Sequence, residues 1–283
     1  MIGIIGGSGL GRLLGALGSG ETHRIDTPFG QPSAPIVTTS VGGVPVALLA
    51  RHGEGHLLNP SAVPYRANLF ALKKLGVTHV IASGAVGSLR EEVRPRDLVV
   101  PDQVIDRTFR RAGTFYEELA VHVELAAPYC PQLRGALLAG GGARDGATYV
   151  CMEGPQFSTR AESAMNRALG GDLIGMTGMP EAKLAREAEL CYALVALVTD
   201  YDCWRPHPAE LGQLELLKEI IANLEAATES AIALIRGALP AAHALRDSTC
   251  SCRSALALGI WSDKSRISPE TRAKLSPLLG RYF

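Results

Sequence analysis

Four residues in the second half of this sequence combine reactive side chains with informative spacing. Asp200 and Asp202 are two residues apart, and an extended chain directs side chains at that spacing to one side. Their neighbours are largely apolar or aromatic, and a carboxyl group in such surroundings holds its proton more readily, which suits a general acid. Met176 and Thr177 add a thioether and a hydroxyl group. The spacing of the aspartates fits equally well two turn residues that cap the next helix.

A predicted strand, helix and strand position these residues. Apolar runs at Leu173–Met176 and Ala193–Val198 flank a block in which Ala and Leu recur at three- and four-residue spacing, which predicts a helix. In parallel sheets, side chains that follow the carboxyl ends of strands converge on one crevice. We therefore expect the two aspartates to face Met176 and Thr177 across a ligand site.

Three other predicted strands end in segments rich in glycine and hydrogen-bond donors. The strands are Ile2–Ile5, Val44–Leu49 and Val77–Ala82, and the donor residues after them are Ser8, Arg51, His52, Ser83, Gly84 and Ala85. Glycine lets backbone N–H groups approach an anion closely, and an arginine fork fits phosphate oxygens. Together these segments predict an anion site, although each alone also fits an ordinary turn. A zinc site at His52 and His56 fits poorly, because such a pair binds metal best on a helix.

The remaining elements complete an α/β pattern. A hairpin turns at Gly42 and Gly43, and Thr159 with Glu162 has the form of a capping box at a helix start. Further helices are predicted at Pro64–Leu75, Gln132–Leu138, Ala209–Leu239 and Pro269–Leu279, and further strands at Asp97–Ile105 and Ala147–Met152. Between them, residues 107–131 are irregular but carry aromatic residues, which is typical of a segment that covers a site or meets another subunit.

Composition excludes several classes of protein. The 283 residues are 47% hydrophobic, and 28 Lys and Arg balance 28 Asp and Glu, so no overall charge favours nucleic acid or an anionic membrane. No apolar run approaches the ~18 to 20 residues of a membrane span, and the amino terminus lacks signal-peptide features, so we expect a cytoplasmic location. The six cysteines lack the spacing of a zinc ribbon, and we expect no metal site, with Cys250 and Cys252 as free thiols in a linker.

Several of these segments match one family in family order. They are IGIIGGSGL, LLARHGEGH, YRANLFALKKLGVTHVIASGAVGSL, DQVIDRT, CMEGPQFSTRAES, GMTGMPEAKLAREAELCYA and TDYDCW, and CSCRSAL near the carboxyl end also fits. On these residues the sequence resembles the purine nucleoside phosphorylase superfamily, and most closely its trimeric methylthioadenosine phosphorylases. The resemblance implies a single-domain α/β fold with a mixed central sheet flanked by helices. It places a phosphorylase domain over 1–241, with 242–283 as a linker and helix packed on it.

The resemblance also implies a reaction and a role for each matching residue. Phosphate would cleave 5′-methylthioadenosine to adenine and 5-methylthioribose 1-phosphate, without metal or organic cofactor. Asp200 would protonate the purine and Asp202 would recognise its amino group. The other implied roles are phosphate binding by Ser8, Arg51, His52, Ser83, Gly84, Ala85 and Thr177, ribose binding by Met176, base binding by Phe157 and Ser158, and closure of a neighbouring subunit's pocket by His122. A homotrimer is expected, and a hexamer remains open.

Departures from the family pattern keep alternatives open. Gly84 and Ser8 stand where relatives frequently carry threonine, which removes a hydroxyl group from the expected phosphate site. The segment from Thr177 to Pro180 also resembles enzymes that use methylthioinosine, although those tend to have asparagine at the position of Asp200. A nucleoside hydrolase of the same fold would activate water and would not need the donors after the strands. A noncatalytic nucleoside-binding protein would not need an acid for the leaving group.

Overall fold

A mixed β-sheet is the centre of the computed structural model, which describes residues 1–7, 20–206 and 212–283. Its strands are β1 (Ile2–Gly6), β2 (Glu21–His23), β3 (Ile36–Val41), β4 (Val44–Ala50), β5 (His79–Ser88), β6 (Leu98–Val100), β7 (Gln103–Arg107), β8 (Arg144–Asp145), β9 (Thr148–Met152), β10 (Leu173–Gly175) and β11 (Cys191–Tyr201). The main order is β2-β3-β4-β1-β5-β10-β9-β7, and β11 pairs with β5 and β6, while β6 also pairs with β8.

Helices flank the sheet, which confirms the predicted fold class. They are α1 (Tyr65–Lys74), α2 (Pro131–Leu138), α3 (Arg160–Ala168), α4 (Glu181–Glu187), α5 (Gln213–Ala244), α6 (Pro269–Lys274) and α7 (Ser276–Leu279). One apolar cluster joins the sheet to α1, α4 and the carboxyl-terminal helices. A second cluster joins the opposite face to α2 and α5. In the part of the chain that the structure describes, no helix is long and apolar enough to cross a membrane.

Strand β5 differs from its prediction in a way that shapes the site. The predicted strand ended at Ala82, but β5 continues through Ser88 because the small residues that follow Ala82 pair along β11. On the other edge of β5, pairing with β1 ends at Ala82 and pairing with β10 begins at Gly87. Among the described strands, none covers this edge between those two residues. Backbone groups of the intervening stretch are therefore available to a ligand.

The predicted direction of β10 was wrong. β10 runs antiparallel to β5, whereas β11 runs parallel to it, so the strand-helix-strand unit is not the parallel pair that the sequence suggested. β10 instead runs parallel to β9. The residues that follow β10 still reach the site, because β10 pairs only with the last residues of β5 and then runs back along it towards the uncovered edge.

Local sequence explains most element boundaries. Gly42 and Gly43 have φ of 58° and 81°, the left-handed conformation of a tight hairpin turn, and the predicted β3–β4 hairpin is confirmed. The capping box of Thr159 and Glu162 is also present. Pro101 lies between β6 and β7, which the sequence predicted as one strand.

The carboxyl-terminal part of the chain also departs from prediction in its boundaries. The predicted helix at Pro269–Leu279 is divided at Leu275, since Pro277 lacks an N–H group and cannot continue the preceding helix. The long helix is a single element, although its predicted start at 209–211 lies outside the described residues. α5 crosses the predicted domain boundary at residue 241, and that division stays a prediction. Leu256 and Leu278 belong to the first apolar cluster, so this part of the chain packs on the sheet.

Candidate active site

A cavity of about 470 Å³ lies where β1, β4, β5, β9, β10 and β11 end or bend. Ten of the residues singled out from the sequence line it: Arg51, His52, Gly84, Ala85, Phe157, Ser158, Met176, Thr177, Asp200 and Asp202. Ser8 lies outside the described residues. Ser83 is described and does not line the cavity, but its backbone oxygen accepts a hydrogen bond from Arg51. His122 is exposed, outside the cavity lining, with its ring against Trp261.

Arg51 is held rigidly beneath the cavity. Its Nε and Nη2 each donate to a different carboxylate oxygen of Glu181 at 2.9 Å, and its Nη1 donates to the Ser83 oxygen at 2.7 Å. Both members of this ion pair are fully buried, and the Tyr192 hydroxyl donates to Glu181 at 2.7 Å. Burial opposes the charge of Arg51, but Glu181 outweighs it and raises the pKa of the guanidinium. The guanidinium group of Arg51 therefore faces a carboxylate, and two of its five N–H groups remain for a ligand.

His52 is neutral at physiological pH. Its Nδ1 lies 2.8 Å from the Leu58 carbonyl oxygen, which can only accept, so Nδ1 carries the proton. Burial lowers the pKa of His52 to about 4, despite that hydrogen bond, and the positive charge of Arg51 lowers it further. The ring stacks on His56 with centroids 4.2 Å apart. Nε2 is consequently an acceptor, so His52 offers this cavity a lone pair rather than a positive charge.

The two aspartates occupy different environments on one wall. An irregularity in the pairing of β11 lies between Val198 and Asp200, and beyond it both carboxylates line the cavity. The Thr199 hydroxyl donates to Asp200 at 2.6 Å. Asp202 is 8% exposed, and within the described ranges its Oδ2 has no hydrogen-bond partner. A buried acceptor left unmatched costs about 1 to 3 kcal/mol, so this oxygen can accept a hydrogen bond from a donor placed in the cavity.

Thr177 faces the uncovered edge of β5. The Tyr149 hydroxyl accepts from the backbone N–H groups of Thr177 and Gly178 at 3.2 and 3.3 Å, which fixes the segment after β10. The Thr177 Oγ1 lies 3.2 Å from the position that a β-carbon would take at Gly84. Any larger residue at Gly84 would therefore press on Thr177. A glycine at position 84, in place of the threonine that relatives frequently carry, therefore fits the space left beside Thr177.

Comparison with known proteins agrees with this arrangement. A model of the phosphorylase superfamily matches residues 1–240. The chain belongs to the phosphorylase superfamily. It is 48% identical to the S-methyl-5′-thioadenosine phosphorylase of Koribacter versatilis, with 100% of this chain and 96% of the relative aligned.

Solved phosphorylase structures share the fold. A methylthioadenosine phosphorylase from an Antarctic soil metagenomic library superimposes with a TM-score of 0.89 at 45% identity, covering 98% of each chain. A variant of the adenosine/methylthioadenosine phosphorylase of Schistosoma mansoni, solved with methylthioadenosine, gives a TM-score of 0.78 at 33% identity, covering 92% of this chain and 98% of that one. The fold of this superfamily member is thus that of enzymes named for methylthioadenosine.

A second buried ion pair in this phosphorylase supports the cavity from behind. Arg111 pairs with Glu153 at 3.1 Å, and its Nη1 donates to the backbone oxygens of Met176 and Met179 at 2.6 Å each. Burial would raise the pKa of Glu153, but hydrogen bonds from the Ser61 hydroxyl and from two backbone N–H groups lower it to about 2. Residues 107–131, the irregular segment of the sequence, are in this way attached to the cavity wall. Within the described chain they contribute none of its lining.

Sequence reasoning missed several residues of this superfamily member's cavity. Glu181 and Tyr192, which hold Arg51, carry no local signal, because they lie far from it in sequence. Ile220 and Leu224 extend the lining from α5, which we had not linked to the site. Glu181 follows the end of β10 by only six residues in sequence, which was the one available indication that it lies near the cavity.

Phe157 lies at the mouth of the phosphorylase cavity. It is 85% exposed, although it is a large apolar side chain. Ser158 beside it is half-buried, and its backbone oxygen lies 3.3 Å from the Cys203 sulfur. An exposed aromatic ring beside a cavity can stack on a planar ligand or be covered by another chain.

Proposed function

We propose that this protein cleaves 5′-methylthioadenosine with inorganic phosphate, releasing adenine and 5-methylthioribose 1-phosphate. The observation that carries the proposal is the composition of one cavity. It contains Asp200 at the end of β11 and Asp202 just after it, together with a set of anion-binding donors along β5, Arg51 and Thr177. A phosphorolysis requires these two groups to face the same nucleoside from opposite sides. The names of its close relatives support the choice of substrate.

Asp200 acts in this proposal as the acid for the leaving base. The bond between the sugar carbon and purine N9 breaks, the electron pair stays with adenine, and purine N7 takes the proton of the Asp200 carboxyl group. Proton transfer of this kind contributes about 10²- to 10⁴-fold in rate. The Thr199 hydroxyl, 2.6 Å from Asp200, orients the carboxyl group.

The phosphate is bound and oriented on the other wall. Backbone groups of Gly84 and Ala85, the Thr177 hydroxyl and the remaining N–H groups of Arg51 donate to its oxygens. The neutral His52 accepts a hydrogen bond at Nε2 from a protonated phosphate oxygen, which keeps its proton. An oxygen of the phosphate then forms a bond to the sugar carbon as that carbon gains positive charge.

The base is recognised by its amino group. The Oδ2 of Asp202, which has no partner in the described part of the chain, accepts a hydrogen bond from the 6-amino group of adenine, whereas a 6-oxo group would bring two acceptors together. Phe157 stacks on the purine and Ser158 contacts it, while Met176 lies against the ribose.

Three further expectations belong to this proposal. The enzyme acts as a homotrimer in the cytoplasm, and the reaction uses no metal or organic cofactor. His122 then serves the cavity of a neighbouring subunit, which suits an exposed ring outside its own cavity. Cover by a neighbour would also explain the exposure of Phe157.

Purine release with and without phosphate tests the reaction. The purified protein is incubated with methylthioadenosine or methylthioinosine, each in the presence and in the absence of inorganic phosphate. We expect adenine release that depends on phosphate, with little hypoxanthine. Release without phosphate would establish a hydrolase instead, preference for methylthioinosine would contradict the role of Asp202, and binding without release would favour a nucleoside-binding protein.

A further inference from the structure

Four cysteines from three distant segments meet at one point of the fold. Cys130 precedes α2, Cys191 begins β11, and Cys250 and Cys252 follow α5. Their sulfur atoms all lie within 4.8 Å of one another, and those of Cys130 and Cys250 are 3.6 Å apart. All four are free thiols. We call this group the cysteine cluster.

The dimensions of the cysteine cluster fit one tetrahedral metal ion. Zinc binds thiolate sulfur at ~2.3 Å, which places the corners of a tetrahedron ~3.8 Å apart. The sulfur atoms of Cys130 and Cys250, 3.6 Å apart, have about this spacing, and all four lie within 4.8 Å of one another, whereas a disulfide would need ~2.05 Å. Four thiolates are also the donor set that selects zinc over magnesium or calcium, which take oxygen ligands.

The surroundings resemble those of a closed structural site. Cys130, Cys191 and Cys252 are buried within the second apolar cluster, and Cys250 packs against it. His79 pairs with Cys191 across β5 and β11, so its side chain lies on the same face of the sheet. Its Nε2 is buried and, among the described residues, has no hydrogen-bond partner. An imidazole N–H group beside thiolates would offset part of their negative charge.

We propose that the cysteine cluster binds one zinc ion that fastens the carboxyl-terminal segment to the sheet. This departs from the absence of metal expected from the sequence. Binding requires that the thiols ionise, so their protons are released to solvent as four sulfur–zinc bonds form. The site lies at the amino end of β11, nine residues from Asp200, or roughly 30 Å along an extended strand. Zinc here therefore stabilises the fold and takes no part in the proposed reaction.

Metal analysis of the purified protein tests the proposal. The full chain is produced in zinc-supplemented medium, purified under reducing conditions without chelator, and analysed by mass spectrometry for metals. We expect one zinc ion per chain in the native protein and in Cys203→Ser, which changes a cysteine outside the cluster. Cys252→Ser should lose the zinc.

A second measurement covers the case in which Cys252→Ser fails to fold. Cobalt replaces zinc in the native protein, and four thiolates in a tetrahedron should give intense sulfur-to-cobalt absorption bands. Native protein without zinc and with six titratable thiols would overturn the proposal. So would a disulfide within the cluster or a cobalt spectrum that lacks these bands.

Discussion

At its amino end β11 begins with Cys191, fully buried beside three other cysteines, and at its carboxyl end it carries Asp200, half-buried in the wall of a cavity. Around Cys191 the chain is apolar and packed on both sides of the sheet. Around Asp200 it is more polar, and within the described ranges the buried Oδ2 of Asp202 has no hydrogen-bond partner. The two ends thus serve different purposes on one strand. Substitutions at the carboxyl end should change rate and specificity, and substitutions towards the amino end should change stability.

Asp200→Asn should give the largest effect at the carboxyl end. Asparagine keeps the size of the side chain but cannot donate an acidic proton, so turnover of methylthioadenosine should fall about 10²- to 10⁴-fold. The free energy of unfolding should stay within about 0.5 kcal/mol of the native value. Initial rates and urea unfolding measure the two quantities.

A matched aspartate provides the control for this prediction. Asp97 pairs with Arg144 at 2.8 Å and does not line the cavity, so Asp97→Asn should retain the native rate. Full activity in Asp200→Asn would remove the acid role. A large loss of stability in that variant would instead place Asp200 with the structural end of the strand.

Glu181→Gln should change both stability and activity, because Arg51 is part of the buried structure and also lines the cavity. A glutamine brings an amide N–H₂ group against the guanidinium and leaves a buried charge without its partner, which costs about 3 to 5 kcal/mol. The displaced Arg51 should also raise the KM for phosphate. Urea unfolding and phosphate titration of the rate measure both effects.

The exposed pair Arg205 and Glu91 offers a contrast to the buried one. Their atoms are 3.3 Å apart at the surface, so Glu91→Gln should change stability by less than about 1 kcal/mol. A Glu181→Gln enzyme with native phosphate KM would show that Arg51 acts only as a structural residue.

Glu187→Gln should change stability with pH and leave the rate constant alone. Glu187 ends α4, before β11, and burial raises its pKa from 4.5 to about 7, although Phe115 N–H and Thr114 donate to it. The folded chain therefore holds this proton more tightly than the unfolded chain. The contribution of Glu187 to the free energy of unfolding is fully present below pH 4.5 and is lost as pH rises through 7, by a total on the order of 3 kcal/mol.

Glutamine cannot ionise and should avoid that loss. Urea unfolding should show Glu187→Gln more stable than the native protein near pH 8 and nearly equal to it near pH 5. Glu117→Gln, which changes an exposed carboxylate, should follow the native curve. A difference between Glu187→Gln and the native protein that does not vary with pH would show that Glu187 is not a buried titrating group.

Local pattern predicted most of the elements at both ends of β11. Hydrophobic periodicity and turn residues sufficed for the β3–β4 hairpin, α1 and the capping box of α3, because these features depend on neighbours in sequence. Family motifs placed ten of the proposed residues at one cavity. Their individual roles remain predictions.

The errors arose where the outcome depends on distant partners. Nothing in 83–88 indicates that β11 will pair with it and keep it extended, and nothing local fixes the direction of β10. The partner of Arg51 lies 130 residues away, at Glu181. The cysteine cluster likewise forms only when three segments come together.

Asp202→Asn should have the smallest effect and should separate specificity from rate within the carboxyl end. The unmatched Oδ2 can only accept, whereas asparagine offers an N–H₂ donor to a 6-oxo purine. Since one buried hydrogen bond is worth about 1 to 3 kcal/mol, the ratio of kcat/KM for methylthioadenosine over methylthioinosine should fall about tenfold or more. Thermal stability should hold, because no bond within the described chain depends on that oxygen. An unchanged ratio with a reduced rate would mean that Asp202 supports Asp200 and does not read the base.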